Sequence, residues 1–325
     1  MEDVKNSYFI DNIKFILIFL VVFGHLIERY IDTNSTLMGV YMFIYIFHMP
    51  LFIFVSGFLS KNINKSKTVY LKSLLVPYIV LNIVWYTLAY FYTGETNLPL
   101  LYPGWTLWFL LSLFFWRISL KYLVKIKYIL PISFLLGLIV GLVSNGSILS
   151  FSRTIVFLPF FLLGYYCNMD KLKKIDDSIN AWIALFGVAL FVALALFLAD
   201  KNIIDYKFLY GSYSYSELGL NLWQGILYRT LLYLSSIALS IFVCAITPIR
   251  KTFYTSIGKS TMYIYAFHTY LVLIVFYLIP QWDSHILTNW VILISPLFIT
   301  YILSLKIFEK AYNGLFKTIF RLIKH

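Results

Sequence analysis

Residues Ile10 to His25 read IDNIKFILIFLVVFGH, an apolar run that also carries Asp11 and Lys14. The run approaches the roughly 20 apolar residues that an α-helix needs to cross a bilayer. Inside a bilayer an ionisable side chain costs about 3 kcal/mol unless it faces protein or water. The run therefore predicts a transmembrane helix whose polar side chains face the interior of the protein.

The composition of the whole chain also indicates a membrane protein. Of its 325 residues, 61% are hydrophobic and only 12% are charged, whereas soluble domains average about 25% charged residues. The mean hydropathy is +0.83. About ten apolar runs approach the length of a bilayer-spanning helix, and they cover roughly residues 9–29, 38–59, 69–92, 105–124, 128–145, 151–168, 180–199, 223–247, 260–280 and 288–308.

These runs predict an all-α, polytopic membrane protein with about ten transmembrane helices, forming a single membrane-embedded domain over residues 1–325. The division between the fourth and fifth runs is the least regular, because WRISLKYLVKIKYILP interrupts it with basic residues and Pro131. No cleavable signal peptide is expected, since the chain opens with MEDVK rather than a basic segment.

The distribution of basic residues predicts that both termini are cytoplasmic. With that orientation, 21 of the 26 basic residues lie on the inner half of the membrane, as the positive-inside rule expects. The outer half then holds only Arg29, Arg153, Lys201, Lys207 and Arg229. Basic loops held against anionic membrane lipids account for the net charge of +12, so no nucleic-acid partner is expected. We expect a multi-pass protein of the plasma membrane.

The first helix places its polar residues in one stripe. Lys14 and His25 are separated by about three helical turns plus 20°, or about 16 Å along the axis, and so share a face. Asp11 and Glu28 lie three residues outside them and join the stripe. Lys14 and Glu28 are close enough to the helix ends to reach the headgroups, which is an alternative explanation for them. A histidine within the bilayer favours a functional role for His25.

Two further histidines lie near the middle of predicted spans: His48 in YIFHMPLFIFVSGF and His268 in GKSTMYIYAFHTYL. Both reach His25 if the helices pack together. Three histidines can bind a metal, but no carboxylate or cysteine lies at ligand spacing beside them, so no metal is expected. Imidazole is better suited here to general-base catalysis on a hydroxyl.

The order of these motifs resembles the acyltransferase family 3 membrane proteins, in particular the branch of fucose 4-O-acetylase and related acetyltransferases. Lys14 and His25 stand at the family spacing of a basic residue, ten intervening residues and a histidine. Further motifs match in order over roughly residues 10–270, and they supply Lys72 in KSLLVPY, Trp108 in LWFLLSLF, Arg153 in RTIVFLPFFLLGYY, and Tyr265 and His268 in IGKSTMYIYAFH.

The resemblance implies transfer of an acyl group, usually acetyl, from cytoplasmic acyl-coenzyme A to a sugar hydroxyl. The acceptor would be an extracytoplasmic glycan or its lipid-linked precursor, and acetyl-coenzyme A would be the co-substrate. The phosphates of coenzyme A need cationic partners, for which Lys67 and Lys259 are further candidates. The residues assigned to the donor are Lys14, Asp11, Lys72, Trp108, Arg153 and Tyr265.

The residues assigned to catalysis are His25, Glu28, His48 and His268. In one route His25 takes the proton of the acceptor hydroxyl, and Glu28 or another acid orients the ring. In the other, His25 is the nucleophile and carries the acyl group. The candidates for stabilising the thioester oxyanion are Arg153, His48, Tyr265 and His268. Arg153 and Arg229 either hold the acceptor or extend to the outer headgroups.

An exporter of polysaccharide or lipid-linked sugars is the alternative, because it too needs many helices and buried polar groups. The chain shows no internal repeat and no matching pair of Gly/Pro-broken helices, so acyl transfer is preferred. The expected partners are acyl-coenzyme A, the glycan or lipid-linked oligosaccharide, and membrane lipids. The sequence leaves open the acceptor glycan, acetyl or succinyl as the acyl group, and assembly as a homo-oligomer.

Overall fold

A computed structural model of the chain describes residues 2–94, 101–281 and 286–322. Over these residues the chain is helical and contains no β-strand, which confirms the prediction of an all-α fold. The α-helices are α1 (Glu2–Ile27), α2 (Ser35–Phe58), α3 (Lys67–Tyr70), α4 (Val76–Thr93), α5 (Trp108–Leu123), α6 (Ile129–Ile139), α7 (Phe151–Tyr166), α8 (Met169–Ser178), α9 (Ala181–Asp200), α10 (Leu222–Ile246), α11 (Thr255–Gly258), α12 (Thr261–Leu278), α13 (Ile286–Leu303) and α14 (Lys306–Leu322).

Seven helical segments of the described chain are long and apolar enough to cross a membrane, namely Ser7–Thr33, Ser35–Phe58, Lys67–Phe91, Ile148–Tyr166, Ala181–Asp200, Leu222–Ile246 and Thr261–Leu278. Two further helical segments, Asn289–Leu303 and Lys306–Leu322, meet at an angle of 57°. Counted together as one bent span, they bring the number of membrane-crossing segments to eight by length and composition. The protein is therefore a membrane protein. Ten spans and cytoplasmic termini stay predictions.

Of the three predicted spans that are not among these seven segments, the tenth falls on the bent pair. The other two are the fourth and fifth predicted spans. They correspond to α5, with 16 residues, and α6, with 11 residues, both shorter than the roughly 20 residues that a perpendicular span needs. Between them Tyr128 adopts a left-handed conformation with φ 61°, directly after the basic segment that ends α5. The predicted runs already divide at this turn; the helices are shorter because α5 begins only at Trp108 and α6 ends at Ile139, where the 3₁₀ turn Val140–Leu142 follows.

The chain divides into two compact units. The first unit comprises Met1–Phe52, Asn168–Tyr206 and Leu234–His325, and the second comprises Ile53–Cys167 and Lys207–Tyr233.

In the first unit α1 and α12 lie side by side and run in the same direction. At one end Thr255, just before α12, donates a hydrogen bond of 2.6 Å from its hydroxyl to the side-chain oxygen of Asn12. At the other end the hydroxyl of Tyr30 donates a hydrogen bond of 2.6 Å to the carbonyl oxygen of Ile279. Residues at equivalent heights of the two helices are therefore neighbours.

In the second unit the end of α2 and α7 touch through their backbones. A Cβ at Gly57 would overlap the carbonyl oxygen of Phe161, and a Cβ at Gly164 would overlap that of Phe54. Small residues commonly permit such close approach between membrane helices. These two glycines fix the crossing of α2 and α7.

The last helix, α14, has a packed face and a basic face. Tyr312 and Phe316 are buried, and the Tyr312 ring lies 6.4 Å from the ring of Phe267 on α12. Lys310 and Lys317 are exposed on the other side. The helix is thus amphipathic, as the mixed apolar and basic sequence of this segment indicates.

Candidate active site

His25 and Glu28 form a hydrogen-bonded pair at the end of α1. The 3₁₀ helix Glu28–Thr33 follows α1 directly, so the three-residue spacing keeps both side chains on one face. His25 Nδ1 lies 3.0 Å from Glu28 Oε2, and the two side chains are 13% and 27% exposed. An ionised carboxylate can only accept, so Nδ1 is the donor of this pair, and the neutral form of the ring presents its lone pair at Nε2. This tautomer is the one that a general base needs.

Tyr45 on α2 approaches the same imidazole. Its hydroxyl oxygen lies 3.4 Å from His25 Nδ1, and its ring centroid lies 4.7 Å from that of His48. Tyr41 stacks on Tyr45 from the preceding turn at 3.9 Å. Tyr45 is not among the site residues predicted from the sequence. The signal that could have identified it is its position three residues before His48, which places both side chains on one face of α2.

His268 on α12 completes the group around His25. The centroids of the two imidazole rings lie 5.6 Å apart. His268 is buried, and its Nδ1 donates to the carbonyl oxygens of Tyr265 at 2.9 Å and Ile264 at 3.2 Å. Its Nε2 is buried and has no hydrogen-bond partner among the described residues. Tyr265, also buried, thus positions the imidazole through its backbone.

The tautomers of His48 and His268 restrict what these side chains can do. His48 Nδ1 donates to the carbonyl oxygen of Ile44 at 2.7 Å, as His268 Nδ1 does to its own carbonyl partners. A carbonyl oxygen can only accept, so both rings are protonated at Nδ1 and offer a lone pair at Nε2. In its neutral form such an imidazole has an acceptor at Nε2 and no further N–H to donate.

Three neighbouring histidines are also a potential set of metal ligands. Across residues 2–94, 101–281 and 286–322, no group of three or more His, Cys, Asp or Glu side chains is arranged to hold a metal ion.

Lys14 and Asp11 occupy the opposite end of the polar stripe. Lys14 Nζ lies 3.0 Å from Asp11 Oδ1, and the two side chains are only 18% and 9% exposed. Because α1 is continuous from Glu2 to Ile27, Lys14 and His25 are about 16 Å apart along its axis. Ile18, between them, is buried. The charge of Lys14 is thus largely compensated by its own neighbour.

Three other predicted site residues belong to the second unit. Arg153 donates from Nε to the carbonyl oxygen of Tyr210 at 3.2 Å, and its guanidinium carbon lies 5.1 Å from the centroid of the Trp108 ring. Trp108 stacks on Phe157 at 5.3 Å. Lys72 is exposed on the π-helical turn between α3 and α4. Arg153 is held by aromatic rings and a backbone carbonyl.

Arg229, on α10 in the second unit, is 1% exposed. Its guanidinium carbon lies 4.4 Å from the centroid of the Phe208 ring. This arginine therefore packs inside the protein and does not extend to the headgroups.

Comparison with known families gives one match. A family model described as an acyltransferase domain, that of acyltransferase family 3, matches residues 7–308. The match covers nearly the whole chain and includes every site residue named above. No curated protein and no solved structure matches the chain.

Proposed function

The chain belongs to acyltransferase family 3 and is a membrane acyltransferase, and from this premise we propose that it transfers an acetyl or other short acyl group. The donor is acyl-coenzyme A on the cytoplasmic side of the plasma membrane. The acceptor is a sugar hydroxyl of an extracytoplasmic glycan or of its lipid-linked precursor.

The observation that carries the proposal is the hydrogen-bonded pair of His25 and Glu28, with a separation of 3.0 Å. Nε2 of His25 takes the proton of the acceptor hydroxyl, and the hydroxyl oxygen attacks the thioester carbonyl. The carbon–sulfur bond then breaks, and the thiolate of coenzyme A takes the proton back from the imidazolium. Glu28 stabilises the imidazolium that exists between these two proton transfers.

The neighbouring side chains supply the remaining polar contacts in this proposal. The Tyr45 hydroxyl oxygen accepts from Nδ1 of His25 at 3.4 Å, and its own O–H is suited to donate to the oxyanion of the tetrahedral intermediate. Nε2 of His268, buried and without a partner among the described residues, is suited to accept a hydrogen bond from the acceptor sugar. The alternative route, in which Nε2 of His25 attacks the thioester and carries the acyl group, uses the same atom.

The stripe along α1 supports a path for the donor. Coenzyme A carries its phosphates at one end of a long flexible arm and the thioester at the other. Phosphates held near Lys14 leave the thioester free to extend about 16 Å along the helix axis to His25. The side chains of Lys14 and His25 lie on one face of α1, so the same helix contacts both ends of the donor.

Thermal unfolding of the purified protein in detergent tests the donor path. Acetyl-coenzyme A, succinyl-coenzyme A and free coenzyme A are added to the wild type, Lys14→Ala and His25→Ala. A ligand present at 100 times its Kd stabilises the folded state by about 2.7 kcal/mol, so the midpoint rises measurably. We expect a rise for the wild type and His25→Ala and a smaller rise for Lys14→Ala.

The matched control is Lys201→Ala, because Lys201 also forms an ion pair with an aspartate, at 2.9 Å, but an exposed one at the end of α9. Its response to the three ligands should equal that of the wild type. If none of the ligands shifts the midpoint of folded wild-type protein, the acyltransferase proposal fails and transport of glycans becomes the reaction to assay.

A further inference from the structure

The loop between α10 and α11, TPIRKTFY at residues 247–254, is fastened to the start of α1 by one buried side chain. Asn12 is 0% exposed, and its Nδ2 donates to the carbonyl oxygens of Pro248 at 2.7 Å and Arg250 at 3.0 Å. Its Oδ1 accepts from the hydroxyls of Thr252 at 3.0 Å and Thr255 at 2.6 Å. Both hydrogens and both lone pairs of the amide are thus used within one loop and its flank.

Two further contacts hold the same loop and α11 against α1. The ring of Tyr254 stacks on Phe15 with a centroid separation of 4.6 Å. Gly258 lies so close to α1 that a Cβ there would overlap the carbonyl oxygen of Asp11. The backbone of the loop is therefore fixed next to the turn of α1 that carries Asp11 and Lys14.

This fixed loop presents cations and an aromatic ring to the outside. Arg250 and Lys251 are exposed, as is Lys259 just after α11. Phe253 is 92% exposed. No ion pair joins these three cations to a carboxylate of the described residues. In contrast to Lys14, none of them is paired with a carboxylate among the side chains that the structure describes.

These exposed cations matter because Lys14 is already paired with Asp11 at 3.0 Å. The nucleotide end of coenzyme A carries three phosphates and an adenine ring. Guanidinium and ammonium groups bind phosphates, and an exposed aromatic ring stacks on a base. The loop offers both kinds of group on a backbone that is already ordered, so little conformational entropy is lost on binding.

We propose that the loop of residues 247–254, together with Lys259, is the binding site for the nucleotide portion of the acyl-coenzyme A donor. Phe253 stacks on the adenine, and Arg250, Lys251 and Lys259 bind the phosphates. The pantetheine arm then runs from the Lys14 end of α1 to His25. This inference rests on the proposed acyl transfer and assigns the donor's nucleotide to particular residues.

The proposal is tested with two acyl donors that share the same thioester, only one of which carries the nucleotide. Acetyl-coenzyme A and acetyl-pantetheine are compared on the wild type and on the triple variant Arg250→Ala/Lys251→Ala/Phe253→Ala. We expect kcat/KM for acetyl-coenzyme A to fall by a factor of ten or more, through KM. For acetyl-pantetheine, the triple variant and the wild type should have kcat/KM values within about twofold of each other.

The matched control is Lys310→Ala/Lys317→Ala, which removes two exposed cations from α14. It should leave kcat/KM for both donors unchanged. An equal loss with both donors in the triple variant, or no loss with either, would overturn the proposal. A loss that occurs only in vesicles containing anionic lipid, and vanishes in neutral detergent, would show instead that the loop binds the membrane surface.

Direct binding separates this proposal from the proposed function. Adenosine 3′,5′-bisphosphate, titrated against the wild type, the triple variant and the α14 control, requires no turnover. Binding to the wild type and the control but not to the triple variant is the expected result. An absence of binding to the wild type overturns the nucleotide site even if acetyl transfer occurs, whereas nucleotide binding without transfer of acetyl from either donor overturns only the proposed function.

Discussion

Replacing Glu28 by glutamine tests the role of the pair at the end of α1. Glutamine keeps the size and one hydrogen-bond acceptor 3.0 Å from Nδ1 of His25 but removes the negative charge. A hydrogen bond to a charged group contributes about 1.5–3 kcal/mol and a neutral one about 0.5–1.5 kcal/mol. The imidazolium that forms during transfer therefore loses about 1–2 kcal/mol of stabilisation.

That loss translates into a rate. At about 1.36 kcal/mol per factor of ten, kcat of Glu28→Gln should fall by about 5- to 30-fold. The side chain of Glu28 is 27% exposed, so water screens part of the interaction and favours the lower half of this range. The Michaelis constant for acyl-coenzyme A should stay within twofold, because the interaction strengthens only as the proton is transferred.

The assay measures release of the coenzyme A thiol in the presence of acceptor glycan, with folding monitored by the thermal midpoint. Glu217→Gln, which removes an exposed carboxylate from the second unit, is the control and should have wild-type kcat. A Glu28→Gln variant with wild-type kcat would refute the reasoning, and Glu28 would then be a residue that only extends to the headgroups.

Three further predictions concern packing, pH and the acceptor site. Gly258→Ala should lower the thermal midpoint by several degrees, because a Cβ there overlaps the backbone of α1, whereas Gly314→Ala, with no atom within 4 Å of its Cβ, should leave it unchanged or raise it. The backbone N–H and hydroxyl of Ser214 hold the pKa of Glu217 below its usual range. Its contribution to stability is therefore present at neutral pH and lost as pH falls through that lowered pKa, so the midpoint difference between wild type and Glu217→Gln should shrink from pH 7 to pH 3. Finally, His268→Phe fills the buried site but removes the Nε2 acceptor. We expect kcat to fall about fivefold, which corresponds to the loss of one hydrogen bond of about 1 kcal/mol. An unchanged kcat would show that His268 is only a packing residue.

Helix geometry explains why the polar stripe could be predicted from the sequence. The relative positions of Lys14 and His25 depend only on the regular rise and twist of one helix, and α1 is continuous through both. Apolar run lengths likewise predicted most of the long helices. They predicted α5 and α6 less well, because α5 begins only at Trp108 and α6 ends at Ile139 in a 3₁₀ turn, while apolar residues continue beyond these helix ends.

The parts of the candidate site that could not be predicted from the sequence depend on contacts between helices and on backbone carbonyls. Tyr45 approaches His25 only because α1 and α2 pack at that height, and no spacing in the sequence encodes their register. The tautomer of His268 depends on backbone carbonyls within its own helix, which hydropathy does not report. Asn12 bonds with residues more than 230 positions away, so its role in fixing the loop was invisible in the sequence around it.

The most direct test of the central claim, that Nε2 of His25 activates the acceptor, is a single-turnover experiment with acetyl-coenzyme A labelled in the acetyl group. Wild type and His25→Ala, matched for thermal midpoint and for binding of coenzyme A, are mixed with acceptor glycan and quenched over time. General-base catalysis contributes about 10²–10⁴-fold, so labelled glycan should form at least a hundredfold more slowly with His25→Ala. Equal rates of glycan labelling by the two proteins would contradict the claim.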